Sequence, residues 1–249
     1  PPAVKLSGAG RALSLQPLIA GDVAYRVQRS ARRRTVSIEI RDAEVIVRAP
    51  PGVSERTLQQ MVYRKRAWIV EKLIAQRRQL ARIPEYSYLS GSTMPWLDET
   101  LTLVVGQGAT GGVHRCGSDL VVTLSRRSTR SSVEQTRQLV KDWYRTEALR
   151  LLTAKSSALA QRLGLRYREI KVRFTRSKWG HCTSEGVLQY NWHIVLAPEP
   201  VVDYLVAHEV CHLRHLNHSA HFWALVASVC PDYQAHRDWL KANGRCLTL

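Results

Sequence analysis

The chain has 249 residues, with 37 Lys and Arg against 20 Asp and Glu and a formal net charge of +17. That length buries a full core in one large domain or two small ones, and a 45% apolar share is that of a soluble globular protein. No apolar run reaches the roughly 18 to 20 residues of a membrane span, and five scattered cysteines without a CxxC pair argue against a disulfide framework or a cysteine zinc knuckle.

The start, PPAVKLSGAG, has no basic-then-apolar secretory pattern. With the cysteine usage, this makes a reducing, cytoplasmic setting without a membrane the expectation. Basic residues are densest in the N-terminal half, at Arg29, Arg32, Arg33, Arg34 and the RKR run at 64–66. They read either as a face for nucleic acid or nucleotide phosphate, or as an ordinary solvated surface.

In chain order, Val36, Ile38 and Ile40 alternate with polar residues, and Val45, Val47 and Ala49 do the same, which predicts two strands around a turn at Asp42. Pro50, Pro51 and Gly52 end the sheet. Ser54 is the expected N-cap of a helix of about 27 residues with Leu58, Val62, Ile69, Leu73 and Leu80 on one stripe. Short strands follow at LTLVV (101–105) and DLVVTL (119–124). From Ser132 to about 163 the apolar spacing is helical, and Gly164 terminates it. Then come a strand pair, IKVRF (170–174) and VLQYNWHIVL (187–196), and three helices starting near Glu199, 219 and 232. The reading is α+β: an N-terminal β-rich basic region over 20–130, and a catalytic domain over 131–249.

The chemistry concentrates in HEVCHLRHLNHSAHFW, residues 208–223, which holds five of the nine histidines. His208-Glu209-Val210-Cys211-His212 is HExxH. Residues four apart on a helix share a face and stand about 6 Å apart in height. Two imidazoles can therefore grip one ion, while Glu209, roughly 100° further round, reaches a water held on it. Such a motif on a solvated face is commonplace, but the preceding VVDYLVA is largely apolar and predicts a buried helix. The third ligand must come from beyond a break. His215 shares the face but lies about 10 Å along the axis, so three imidazoles on a straight helix cannot converge. Asn217, tolerant of the left-handed conformation, is the expected turning point, and His218 the expected third ligand. His215 and His221 are expected outside the metal shell.

WGHC (179–182), YNWHIVLAP (190–198), YLVAHEVCHLRHLNHSAHFWALV (204–226) and the closing PDY…HRDWL resemble the YgjP-like metallopeptidase domain. The basic RSARRRTVSIEI, VIVRAP and AWIVEKL segments are similar to its front part. SprT and Spartan zinc peptidases are more distantly similar, through HExxH followed by His-x-x-x-Phe, here His218 to Phe222. The resemblance implies a minimal zincin-like domain, zinc ligands His208, His212 and His218, and Glu209 as the catalytic carboxylate. One departure is His181, where the family usually has Ser. Trp179, Gly180 and Cys182 read either as a substrate groove with a thiol able to cap the zinc, or as a packed turn with Cys182 in the core; the packed turn is favoured. Cys211 reads as core, and Trp192, Trp223 and Trp239 as packing. By the resemblance, VLQYN (187–191) is the candidate strand for pairing with an extended substrate.

The expected function is a Zn²⁺-dependent hydrolase of peptides or proteins. The alternatives are a nucleotide phosphoanhydride hydrolase on the same site, a DNA-associated peptidase, and a metal-binding scaffold without turnover.

Overall fold

Alternating apolar residues build the first sheet of the computed structural model, which describes residues 18–20 and 23–249. Strands β1 (Leu18–Ala20), β2 (Val23–Arg29), β3 (Ser37–Arg41) and β4 (Glu44–Ala49) lie in the order β1-β2-β4-β3. The β2–β4 pair is parallel and the other two are antiparallel. Val23, Tyr25 and Val27 of β2 and Val45, Val47 and Ala49 of β4 face one core. The turn from β3 to β4 holds Asp42 at φ 51° and Ala43 at φ 58°, the type I′ geometry whose twist suits a two-residue hairpin.

Ser54 caps α1 (Glu55–Arg64), its hydroxyl accepting the Thr57 N–H at 3.2 Å. The single long helix expected here is broken at Lys65, whose ψ of 7° separates α1 from α2 (Arg66–Leu80). Between the buried Val62 and Ile69, every residue from 63 to 68 is exposed. No inward anchor enforces regular helix across that stretch, so a break costs little. Arg29 is not an offered cation: its Nη1 donates to the carbonyls of Pro50, Pro51 and Val53, bracing the strand-to-helix loop.

The chain's contacts divide it into two compact units, one ending at Arg82 and one running from Ile83 to Leu249. The boundary expected at 130/131 is thus displaced, because a second sheet belongs with the C-terminal helices. That sheet comprises β5 (Thr93–Trp96), β6 (Glu99–Gly108), β7 (Gly112–Cys116) and β8 (Asp119–Ser125), ordered β5-β6-β8-β7. It shares a core with α3 (Ser132–Arg162). Val140, Tyr144, Ala148, Leu152, Ser156 and Ala160 form the buried stripe of that helix, which opens with a capping box between Ser131 and Glu134. Trp96 lies 5.2 and 5.5 Å from the rings of Trp143 and Tyr144, and the Tyr144 hydroxyl donates to Pro95 O.

A third sheet holds β9 (Glu169–Arg173), β10 (Gly180–Cys182) and β11 (Val187–Asn191) in the order β10-β11-β9, with β11 and β9 parallel. The strand expected to reach 196 stops at Asn191. Its side chain accepts the His193 N–H at 3.1 Å and opens a 3-10 turn over Trp192–Leu196. Helices α4 (Glu199–Cys211), α5 (Ala220–Val229) and α6 (Tyr233–Asn243) complete the order. The fold is α+β, and among the described residues no helix is long and apolar enough to cross a membrane.

Candidate metal centre

Helix α4 is fixed before it presents any functional group. At its start, Asp98 Oδ2 accepts the Glu199 N–H at 3.0 Å, and Leu97 N–H donates to Val195 O. A carboxylate there also suits the positive end of the helix dipole. Lys155, reaching from α3, binds Glu199 and Asp203 at 2.6 Å each. Val201, Val202, Leu205, Val206 and Val210 are buried, and Cys211 is fully buried beside Phe222 and Val226.

His208 and His212 leave the last turn of this helix on one face. The chain then turns back within 212–219, and His218 Nε2 arrives 3.1 Å from His208 Nε2, while His212 Nε2 stands 3.2 Å from the same atom. Those separations suit two corners of a tetrahedron whose centre lies roughly 2.0 Å from each nitrogen. Three imidazole lone pairs facing one point repel one another unless a cation sits between them. A proton can bridge one pair only, so the donor set fits a metal ion. His212 Nδ1 lies 2.9 Å from His215 O, and donation to that carbonyl leaves Nε2 free to ligate.

The reversal is made differently from expectation. The helix ends at Cys211, and Asn217 is not among the residues with positive φ. Instead, Asn217 Oδ1 accepts the Ser219 N–H, and Ser219 Oγ accepts the Phe222 N–H to cap α5. The Asn side chain makes the turn without a left-handed backbone. His215 and His221 lie outside the three-histidine group and pair with each other, their rings stacked at 6.3 Å. The aromatic residues do more than fill space. Phe222 stacks on His212 at 4.4 Å and Trp223 on His218 at 5.6 Å, with Tyr233 behind Trp223. These walls fix two imidazole planes; the signal was the Phe-Trp pair four and five residues after His218.

Glu209 is 4% exposed, and its Oε2 has no hydrogen-bond partner. Burial pushes its carboxyl up to about 8, opposed by the positive charge of Lys178. Gly180 lies flat against it: a methyl group on Gly180 would sit 2.2 Å from Glu209 Oε1. Cys182 is buried, with its thiol pushed up to about 11 and directed at Thr183 O. It lies outside the three-histidine group. VLQYN is not a free strand, since β11 is hydrogen-bonded on both sides. The open edge of that sheet nearest Glu209 belongs to β10, the WGHC segment.

The sequence profile of the YgjP-like metallopeptidase domain matches residues 34–243. The chain belongs to this family. The matched span takes in β10, the three histidines and Glu209. No curated protein matches the sequence. Among solved structures, the chain is similar to the metallopeptidase zymogen abylysin of Pyrococcus abyssi, with 19% identity over 36% of this chain and 90% of that one, at a TM-score of 0.34.

Proposed function

We propose that this YgjP-like chain is a zinc-dependent peptidase in which His208, His212 and His218 hold Zn²⁺ and Glu209 is the general base. The observation that carries the reading is the convergence of three imidazole nitrogens beside a buried carboxylate with one unpartnered oxygen. Zinc bound to three neutral imidazoles supplies Lewis acidity, polarising a carbonyl and bringing a water's pKa toward neutrality.

The remaining roles fall to the chain itself. Glu209 Oε2 takes the proton of the attacking water and returns it to the leaving amine, and this buried oxygen without a hydrogen-bond partner is free to make both transfers. Gly180 leaves the clearance in which that carboxylate sits. The outward edge of β10 offers backbone groups to an extended peptide, the usual means of adding a strand to a sheet. Phe222 and Trp223 keep His212 and His218 in place when substrate enters.

The test combines metal analysis with Glu209→Gln. Purified protein should carry about one zinc per chain, and chelation should abolish hydrolysis of a mixed peptide library. The Gln variant should retain zinc while turnover falls at least about a hundredfold, the usual scale for removing a general base. Cleavage of nucleoside triphosphates without cleavage of peptides would instead identify a phosphoanhydride hydrolase, and wild-type turnover by the variant would sink the proposed role of Glu209.

A further inference from the structure

The segment that leads into β10 also walls a second feature. A hollow of about 390 Å³ lies beside it, closed from the other side by the end of α6 and the residues after it. Four cationic side chains line it, Arg176, Lys178, Lys241 and Arg245, and no carboxylate does. Among the described residues none of the four is in an ion pair, whereas Arg48, Arg150 and Lys155 each are. A larger hollow of about 830 Å³ between β7 and α3 makes the contrast. Its Arg115 and Arg150 are neutralised by Glu99 and Glu147, so it has no excess charge to offer.

The floor is built rather than incidental. His193 is 5% exposed and packs edge-on against Phe174 at 5.0 Å. Trp179 rests on Gly244, where an added methyl group would come 3.0 Å from the indole nitrogen. Asn191 Nδ2 holds Thr175 O at 2.8 Å, and the Thr175 hydroxyl donates to Lys178 O, so the cationic loop is pinned to the end of β11. The next residue after Trp179 is Gly180, against Glu209, and the charge of Lys178 acts on the Glu209 carboxyl. The hollow therefore adjoins the proposed reaction centre.

We infer that this hollow is a substrate subsite for an acidic side chain, so that the enzyme selects peptides carrying Asp or Glu close to the bond it cuts. This rests on the peptidase reading of the metal centre. Four cations outside any ion pair, gathered around one concavity of about 390 Å³, suit a carboxylate held by several charge-assisted contacts. A nucleic-acid track would instead need charges strung along a groove to follow successive phosphates.

Binding and cleavage should be read separately on the full chain. With zinc-loaded Glu209→Gln protein, fluorescence anisotropy compares a labelled peptide library containing Asp and Glu with the same library carrying Asn and Gln. The acidic set should bind about tenfold more tightly, as expected of charge-assisted contacts, and the difference should shrink as salt rises. Lys241→Gln with Arg245→Gln, both exposed positions, should erase the difference without shifting thermal stability. Equal affinity for the two sets overturns the subsite whether or not peptides are cut. A single-stranded oligonucleotide that binds more tightly than the acidic peptide and displaces it would assign the hollow to nucleic acid, and would overturn it too. Should acidic peptides bind selectively while wild-type protein cuts none of them, the peptidase reading fails and the acidic site stands.

Discussion

At the residue scale, the sharpest constraint is a missing side chain. Gly180 has no Cβ where Glu209 needs room, and the carboxylate is too enclosed to step aside. Gly180→Ala should therefore displace Glu209, cutting peptide turnover at least about tenfold while zinc content stays unchanged; full activity with bound zinc would show that the carboxylate can move. Glu209 also makes a pH prediction for metal-free protein. Its folded value lies near 8, above the ordinary carboxylate value of 4.5. A raised carboxyl costs stability as pH climbs from about 4.5 to 8, because the unfolded chain releases its proton first. Glu209→Gln should thus raise the melting temperature of metal-free protein at pH 8 and leave it nearly unchanged at pH 4.5, which thermal scans at the two pH values would check. His208, Glu209 and His212 were legible because helical periodicity alone determines which side chains share a face. The role of Gly180 was not, since nothing in WGHC states which helix lies beneath it. The Phe-Trp pair after His218 signalled an aromatic wall but not its contact, as a tryptophan at core-like spacing looks the same whether it packs on leucine or on a histidine.

At the element scale, the alternating strands and the stripe of α3 could be read directly, whereas strand partners could not. Hydrogen-bond order is a property of distant segments, and so β11, a candidate substrate strand by position, is sealed on both sides, while three-residue β10 is the open edge on the side of Glu209. Short strands such as β5 and β7 carry too few alternations to stand out. The β3–β4 hairpin shows a local rule broken and compensated. Ala43 sits at φ 58°, a conformation that costs a non-glycine residue about 1 kcal/mol. Gln76 of α2 holds the turn there, accepting the Ala43 N–H at 2.9 Å and donating to Ile40 O at 2.7 Å. Ala43→Gly should relieve the strain and stabilise the N-terminal unit by up to about 1 kcal/mol, less the extra entropy glycine brings to the unfolded chain. Gln76→Leu should do the opposite by leaving both backbone groups without their partner. Urea titration of each variant is the measurement, and a neutral result for Gln76→Leu would mean that the hairpin needs no clamp.

At the scale of the whole molecule, both units repeat one plan: an antiparallel pair, a parallel neighbour, an antiparallel edge strand, and then a Ser-capped helix. No sequence repeat announced this, because only the pattern of inward residues is shared. That similarity also explains the misplaced boundary, since the second sheet has the same small, β-rich character as the first. Its energetic allegiance lies with the C-terminal helices. Met94, Trp96, Leu101, Leu103, Leu120, Val122 and Leu124 are buried in a cluster that continues through Val140, Tyr144 and Leu152 to Leu188 and Val202. At about 1.5–3 kcal/mol for each large apolar side chain returned to water, removing that sheet costs on the order of 10 kcal/mol, comparable to the entire stability of a domain. It also takes away Asp98, which caps the helix that carries His208. A fragment beginning at Ile83 should therefore fold and bind one zinc, since the buried cluster of the first unit lies wholly within Val23–Ile69. A fragment beginning at Ser131 should be insoluble, or should lack a cooperative melting transition. If the shorter fragment folded and held zinc with undiminished affinity, the second sheet would be an ornament of the catalytic unit instead of part of its core.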